Sequence, residues 1–311
     1  MTAPVWTVPA PFVANRADDT QREWALSLCG VAEGLAGRWG LTPSGDPMWG
    51  YVSVVWPVRG PGGQEWVLKL GEDDPRMRTE GPVLMAWQGL GAVEVVRHDP
   101  TTGGLLLEAL DPARDLEGVA DEAEATAVVG GFIAGLRQAD APDGVPPFTD
   151  ELRRIHAALL PRRDLPVGGL TRQDFALALD TLTTVSADLD AAGPWPAMHG
   201  DLHYCNVLHT REGAADPGWR VIDPLPMLGP AEAEVIAPMR NRWQDAVATG
   251  DPDRALRHRL DRLCDLADLD VQLARALCHA VAVDNLSWVL LEKPVAQDRF
   301  LGAYRVMAAW R

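Results

Sequence analysis

Between His199 and Pro224 this chain has few ways to fold. Val207-Leu208-His209 and Trp219-Arg220-Val221-Ile222 are short apolar runs, and Arg211-Glu212-Gly213-Ala214-Ala215-Asp216-Pro217-Gly218 between them is dense in turn formers. The pattern predicts a β-hairpin, which lays its second strand beside its first. Asp223, just after the second run, is then carried back to Asn206, just before the first. Ahead of the hairpin stands His199-Gly200-Asp201-Leu202-His203-Tyr204-Cys205-Asn206, which reads as a loop.

The spacing in this stretch has chemical content. Asn206 follows Asp201 by five positions, the D-x-x-x-x-N interval of phosphoryl-transfer loops. There the Asp receives the proton of an acceptor hydroxyl and the Asn holds magnesium. Asp223 adds a charged oxygen, and Mg²⁺ favours one or two protein oxygens completed by waters and nucleotide phosphates. His-Gly-Asp or Ile-Asp-Pro alone would be an ordinary turn; together, in this order, they point to a metal–nucleotide site. His199 and His203 also stand at the i,i+4 spacing of helical zinc ligands. Gly200 and Asp201 place them in a loop, however, and the glutamate of an HExxH motif is missing.

At 311 residues the chain can hold one large or two modest domains. A hydrophobic fraction of 47% and a mean hydropathy of −0.07 fit a soluble globular protein. No stretch approaches the roughly 20 apolar residues of a membrane span. Met1-Thr2-Ala3-Pro4-Val5-Trp6 lacks the basic start and apolar centre of a signal peptide, so a cytoplasmic location without a membrane partner is expected. Cys29, Cys205, Cys264 and Cys278 show no CxxC pairing and read as thiols, with Cys205 a small filler beside Asn206. Lys and Arg number 28 against 44 Asp and Glu, a net charge of −16. Such a surface repels nucleic acid and draws cations, so the expected partner is a small cationic acceptor, met by a monomer or homodimer.

The fold class reads as α+β. Val52-Ser53-Val54-Val55-Trp56 and Glu65-Trp66-Val67-Leu68-Lys69-Leu70 are strand-like around the turn Arg59-Gly60-Pro61-Gly62-Gly63. A helix follows from about Pro75 to Gln88, then strands at Val93-Glu94-Val95-Val96 and Gly104-Leu105-Leu106-Leu107-Glu108. Beyond Leu110 the apolar period changes from 2 to 3.6, with helices over Glu117–Gln138, Phe148–Leu160, Arg172–Ala191 and, with interruptions, Pro252–Trp310. The expected division is residues 1–110, nucleotide-binding, and 111–311, helical with the catalytic loop and acceptor site.

The catalytic stretch resembles the loop of the aminoglycoside phosphotransferase family. Leu228-Gly229-Pro230 and Ala237-Pro238-Met239-Arg240-Asn241-Arg242-Trp243 resemble its streptomycin 6-phosphotransferase and hydroxyurea phosphotransferase branch. The resemblance implies a bilobal protein-kinase-like fold, with a small β-rich N-lobe and a larger helical C-lobe, and ATP and Mg²⁺ as cofactors. It implies Asp201 as catalytic base and Asn206 and Asp223 as metal ligands. Lys69, ending a strand, would contact the α- and β-phosphates and Glu80 would orient it. The phosphate loop falls on Ser44–Val52, where Gly50 departs from a G-x-G-x-x-G pattern but could still offer a backbone N–H. The adenine hinge falls on Leu107–Leu110, including Glu108 and Leu110. Glu232, Glu234, Arg240, Asp284 and Trp288 are candidate acceptor residues, the implied activity being phosphorylation of an antibiotic hydroxyl. A kinase for hydroxyurea or another small metabolite is the alternative, and an inactive kinase-like binding module a second. A large acidic cleft would favour streptomycin, and a small closed pocket the others.

Overall fold

Alternation along a single strand explains the architecture of the first part of the chain. In the computed structural model, which describes residues 6–72, 74–165, 167–292 and 300–310, β3 (Ser53–Arg59) buries Val54, Trp56 and Val58 on one face. Before it come α1 (Ala10–Ala14), α2 (Asp19–Trp39), β1 (Thr42–Pro43) and β2 (Met48–Trp49). After it come β4 (Glu65–Gly71), α3 (Pro75–Ala86), β5 (Val95–Asp99), β6 (Gly104–Glu108) and β7 (Leu110–Asp115). The antiparallel sheet runs β1-β3-β4-β6-β5, with β2 also on β3. Ala25, Leu28, Ala32 and Leu35 recur at helical spacing along α2 and share one core with Val54, Trp56, Leu68, Leu70 and Leu106. Asp18 caps α2 by accepting the Gln21 N–H, and Gly40 ends it in the left-handed conformation, φ 68°.

The rest is mostly helical: α4 (Glu122–Leu136), α5 (Phe148–Leu159), α6 (Arg172–Ala191), then β8 (Ala197–Met198), β9 (Val207–Thr210), β10 (Trp219–Val221) and β11 (Met227–Leu228). It ends with α7 (Trp243–Ala248), α8 (Pro252–Ala267), α9 (Val271–Glu292) and α10 (Leu301–Met307). α4 packs on α8 closely enough that a Cβ at Gly130 would stand 2.8 Å from Leu266. Arg259 of α8 is buried, pairing with Glu122 at 2.7 Å and donating to the Asn241 carbonyl at 2.6 Å. No described helix is long and apolar enough to cross a membrane. The first five residues, which bear on the expected lack of a leader, and part of the expected tail helix, residues 293–299, lie outside the described residues.

The chain forms two compact units, Met1–Pro112 with His209–Arg220, and Ala113–Leu208 with Val221–Arg311. The single division expected after residue 110 leaves out the β9–β10 turn, which belongs with the first unit. There Arg211 Nε donates to the Leu110 carbonyl at 3.1 Å, Arg211 pairs with Glu65, and Arg220 lies 3.5 Å from Glu108.

Arg16 ties together three pieces of the first unit. It is buried, its Nε donates to the Phe12 carbonyl at 3.2 Å, and its Nη atoms reach Glu72 at 3.0 Å and the Tyr51 carbonyl at 2.5 Å. One cation thus holds α1, the β2–β3 turn and the end of β4. Arg16→Met is expected to lower stability by roughly 2–4 kcal/mol, because it strands buried acceptors and a carboxylate. Urea unfolding checks this, and a loss under about 0.5 kcal/mol, the size of an ordinary surface substitution, would refute it.

Candidate active site

β8 delivers the chain into the catalytic loop, pairing Met198 with Met227 and Ala197 with Leu228 of β11. Residues 199–203 are irregular, and a 3₁₀ turn over Tyr204–Asn206 leads into β9. Leu202 and Tyr204 are buried and anchor the loop, and the Tyr204 hydroxyl lies 2.9 Å from Thr126 Oγ1 on α4. The Tyr204 N–H donates to Asn241 Oδ1 at 3.1 Å, and Asn241 donates in turn to Glu117 at 2.9 Å. Asp201's own carbonyl accepts from the His203 N–H at 2.8 Å and from Asn206 Nδ2 at 2.9 Å. Asn206 is therefore held by its amide nitrogen, and its amide oxygen is the atom that could meet a cation. Gly200 takes φ 75°, and a Cβ there would stand 2.2 Å from the Leu225 carbonyl oxygen. No other residue fits that position.

His199 joins this loop to the strand that follows the hairpin. It is fully buried, its Nε2–H donates to the Ile222 carbonyl at 2.9 Å, and its Nδ1 accepts the Asp201 N–H at 3.3 Å. Burial lowers its pKa to about 4, so the ring is neutral and both nitrogens are used in hydrogen bonds rather than on a metal. The zinc reading fails here, and no cluster of three or more His, Cys, Asp or Glu suited to a metal occurs among the described residues. The Ile222 N–H donates to the Asn206 carbonyl at 2.9 Å, closing the hairpin so that Asp223 follows at once. Asp223 has φ 60°, a conformation that costs most residues of order 1–3 kcal/mol and clusters at functional sites.

Glu234 lies beneath the loop in a 3₁₀ stretch, Ala231–Ile236. Its carboxylate accepts the N–H groups of both His199 and Gly200, the second at 3.1 Å. Burial raises its pKa to about 7, and the nearby Asp201 pushes the same way, while the two N–H bonds oppose them. The neighbouring Glu232 instead accepts the Asp270 N–H at 3.1 Å, just before α9, and does not line the cavity at Asp201. Glutamates two positions apart in a 3₁₀ stretch point different ways, and sequence could not tell which one faces the loop.

A cavity of about 230 Å³ adjoins Asp201, lined by Glu151, Arg154, Glu234, Arg240, Asp284 and Asn285 among others. Three of its carboxylates are matched to arginines. Arg240 donates to Asp201 Oδ1 at 2.9 Å, Arg154 grips Glu151 with two bonds at 2.6 and 2.8 Å, and Arg162 lies 3.3 Å from Asp284. Glu234, the fourth, is engaged by the N–H groups of the loop instead. Trp288, a candidate acceptor residue, is not among its walls.

In the first unit Lys69 and Glu80 are buried and paired at 2.5 Å. Each of the backbone segments expected around the nucleotide already has one group engaged within the protein. The Gly50 N–H closes the β2–β3 turn on the Ser53 carbonyl at 2.9 Å and is not offered to a phosphate. The Glu108 N–H donates to the Glu94 carbonyl at 3.0 Å, and the Leu110 carbonyl accepts from Arg211 Nε at 3.1 Å.

Fold and loop together define a phosphotransferase. Among solved structures the chain resembles macrolide 2'-phosphotransferase of Brachybacterium faecium, at TM-score 0.51 and 16% identity over 90% of this chain and 97% of that one, a likeness that shows the protein-kinase-like fold. It is similar to streptomycin 6-kinase of Streptomyces glaucescens, 31% identical over 96% of this chain and 95% of that protein. Hydroxyurea phosphotransferase of Kitasatospora aureofaciens is 32% identical over 88% and 77%. The model of the aminoglycoside/hydroxyurea antibiotic resistance kinase family matches residues 38–292, and the chain belongs to that family.

Two predictions follow from the loop. The folded chain keeps a proton on Glu234 that the unfolded chain releases near pH 4.5, so this group's stabilisation is complete below about 4.5 and is lost as pH rises through about 7. Glu234→Gln has no proton to lose, and the His199 contribution is common to both proteins. The melting temperature of wild type minus Glu234→Gln should thus shrink from pH 5 to pH 8, and a difference that grows would refute the assignment. At Asp223, Asn tolerates the left-handed conformation and Ala does not. Asp223→Asn should melt within about 2 °C of wild type and Asp223→Ala several degrees lower, a gap of about 1 kcal/mol. Equal melting temperatures would show that the backbone relaxes.

Proposed function

We propose that this kinase transfers the γ-phosphate of ATP, with magnesium, to a hydroxyl of a streptomycin-type aminoglycoside, acting in the cytoplasm as a monomer or homodimer. The observation that carries this reading is the similarity to streptomycin 6-kinase over nearly the full length of both chains. Asp201 accepts the hydroxyl proton and fixes the attacking oxygen. Asn206, through its amide oxygen, and Asp223 hold Mg²⁺, which supplies charge neutralisation at the phosphates. Lys69, oriented by Glu80, binds the nucleotide phosphates. Catalysis is then chiefly positioning and electrostatic stabilisation.

The cavity gives a second reading its footing. At about 230 Å³ it is below the ~300–1,000 Å³ of sites that enclose drug-sized ligands. That favours a compact acceptor such as hydroxyurea.

Mass spectrometry of products formed with Mg·ATP and each acceptor separates the two. Phosphorylated streptomycin is expected, with kcat/KM falling as salt rises, because the −16 chain draws a polycation by a field screened over about 8–10 Å. Asp201→Asn should lower turnover by on the order of 10²–10⁴. Product from hydroxyurea alone would replace the aminoglycoside reading, and full turnover by Asp201→Asn would displace the base.

A further inference from the structure

Arg240 stands where the acceptor oxygen and the transferred group must meet. Its Nη2 is bonded to Asp201 Oδ1 at 2.9 Å. Its Nε donates to the Ala237 carbonyl at 3.4 Å, its guanidinium carbon lies 5.3 Å from the Phe300 ring centroid, and little of the side chain is exposed. Three partners therefore fix the cation before any ligand arrives. It also lines both the 230 Å³ cavity and a second one of about 270 Å³, walled by Glu117, Trp243 and Phe300 among others.

We propose that Arg240 is a catalytic arginine supplied by the chain itself, stabilising the charge on the transferred phosphoryl group. The inference rests on Asp201 receiving the acceptor proton. The attacking oxygen must then lie about 2.6–3.2 Å from that carboxylate. In the transition state the γ-phosphorus is bonding to the same oxygen. The new oxygen–phosphorus bond forms as the bond to the bridging oxygen of ATP breaks; ADP leaves, and the hydroxyl proton passes to Asp201. A guanidinium 2.9 Å from the carboxylate is a neighbour of the equatorial phosphoryl oxygens throughout. A carboxylate accepts up to about four hydrogen bonds, so Arg240 can stay on Asp201 while its planar fork donates to phosphate. Because the cation is already in place, it acts without reorganisation.

The test pairs kinetics with binding of a transition-state mimic. Arg240→Met, close in volume but neutral, should lower single-turnover phosphoryl transfer by on the order of 10²–10³, and Arg240→Lys by less. By calorimetry both variants should bind Mg·ADP within about twofold of wild type. Arg240→Met should lose on the order of 10² or more of the affinity for Mg·ADP with aluminium fluoride, which mimics the transferred phosphoryl group. This measurement needs no acceptor, so it stands whichever antibiotic is phosphorylated, and Asp201→Asn run alongside tests the base separately. Equal losses for Met and Lys, a rise confined to acceptor KM, or unchanged affinity for the fluoride complex would each overturn the proposal. Should Arg240→Met fold poorly, the Lys variant carries the same comparison, and wild-type affinity for the mimic with a transfer rate reduced as far as Asp201→Asn would refute it.

Discussion

The site hangs on one buried carboxylate. His199 and Gly200 lie where the chain has left β8, and their N–H groups have no strand to pair with. Glu234 accepts both, and a buried N–H without a partner would cost about as much as a lost hydrogen bond. His199, so held, reaches across to Ile222 and upward to Asp201 through its two ring nitrogens. The Asp201 loop and the strand that leads to Asp223 are therefore located through a single group. Its own burial opposes its charge, so the clamp itself responds to pH.

Much of this was legible in the sequence, for physical reasons. Turn formers between two apolar runs leave a hairpin few alternatives, and the Asn206–Ile222 bond closes it as the spacing requires. Lys69 is set among inward-facing strand residues, so its pairing with Glu80, eleven positions on, could be expected from kinase chemistry. Other features carry no such local signal. Glu232 and Glu234 differ only in which way a 3₁₀ turn points them. The N–H groups of Gly50 and Glu108 look available in sequence, because the carbonyls that take them, Ser53 and Glu94, are chosen by turn geometry and strand register. The 21-residue α2, with its Asp18 cap, had a start signal but an apolar face built largely of alanine. Arg240's bond to Asp201 spans 39 positions, beyond anything periodicity encodes.

Charge works differently at two scales. The whole chain is strongly acidic, which acts at a distance on approaching ions. Within the cavity, arginines already occupy Asp201, Glu151 and Asp284. A cationic acceptor entering there meets carboxylates that already have partners instead of a negative void, so attraction to the surface and affinity in the pocket are separate quantities.

The hairpin tip, His209–Arg220, belongs to the unit begun at the N-terminus although it is encoded about a hundred residues after that unit's main sheet. Its anchors on Leu110 and Glu65 span 101 and 146 positions. On the ribosome the first unit therefore emerges unfinished, waiting while α4, α5, α6 and the loop after β8 are made. Loop-closure entropy must be met before those contacts return anything, which slows the step that completes the unit. A cut at residue 112 thus leaves the six-stranded sheet whole but splits β7 and parts it from β9 and β10, its partners in a second, three-stranded sheet, so the boundary between the folded units does not fall at one point along the chain.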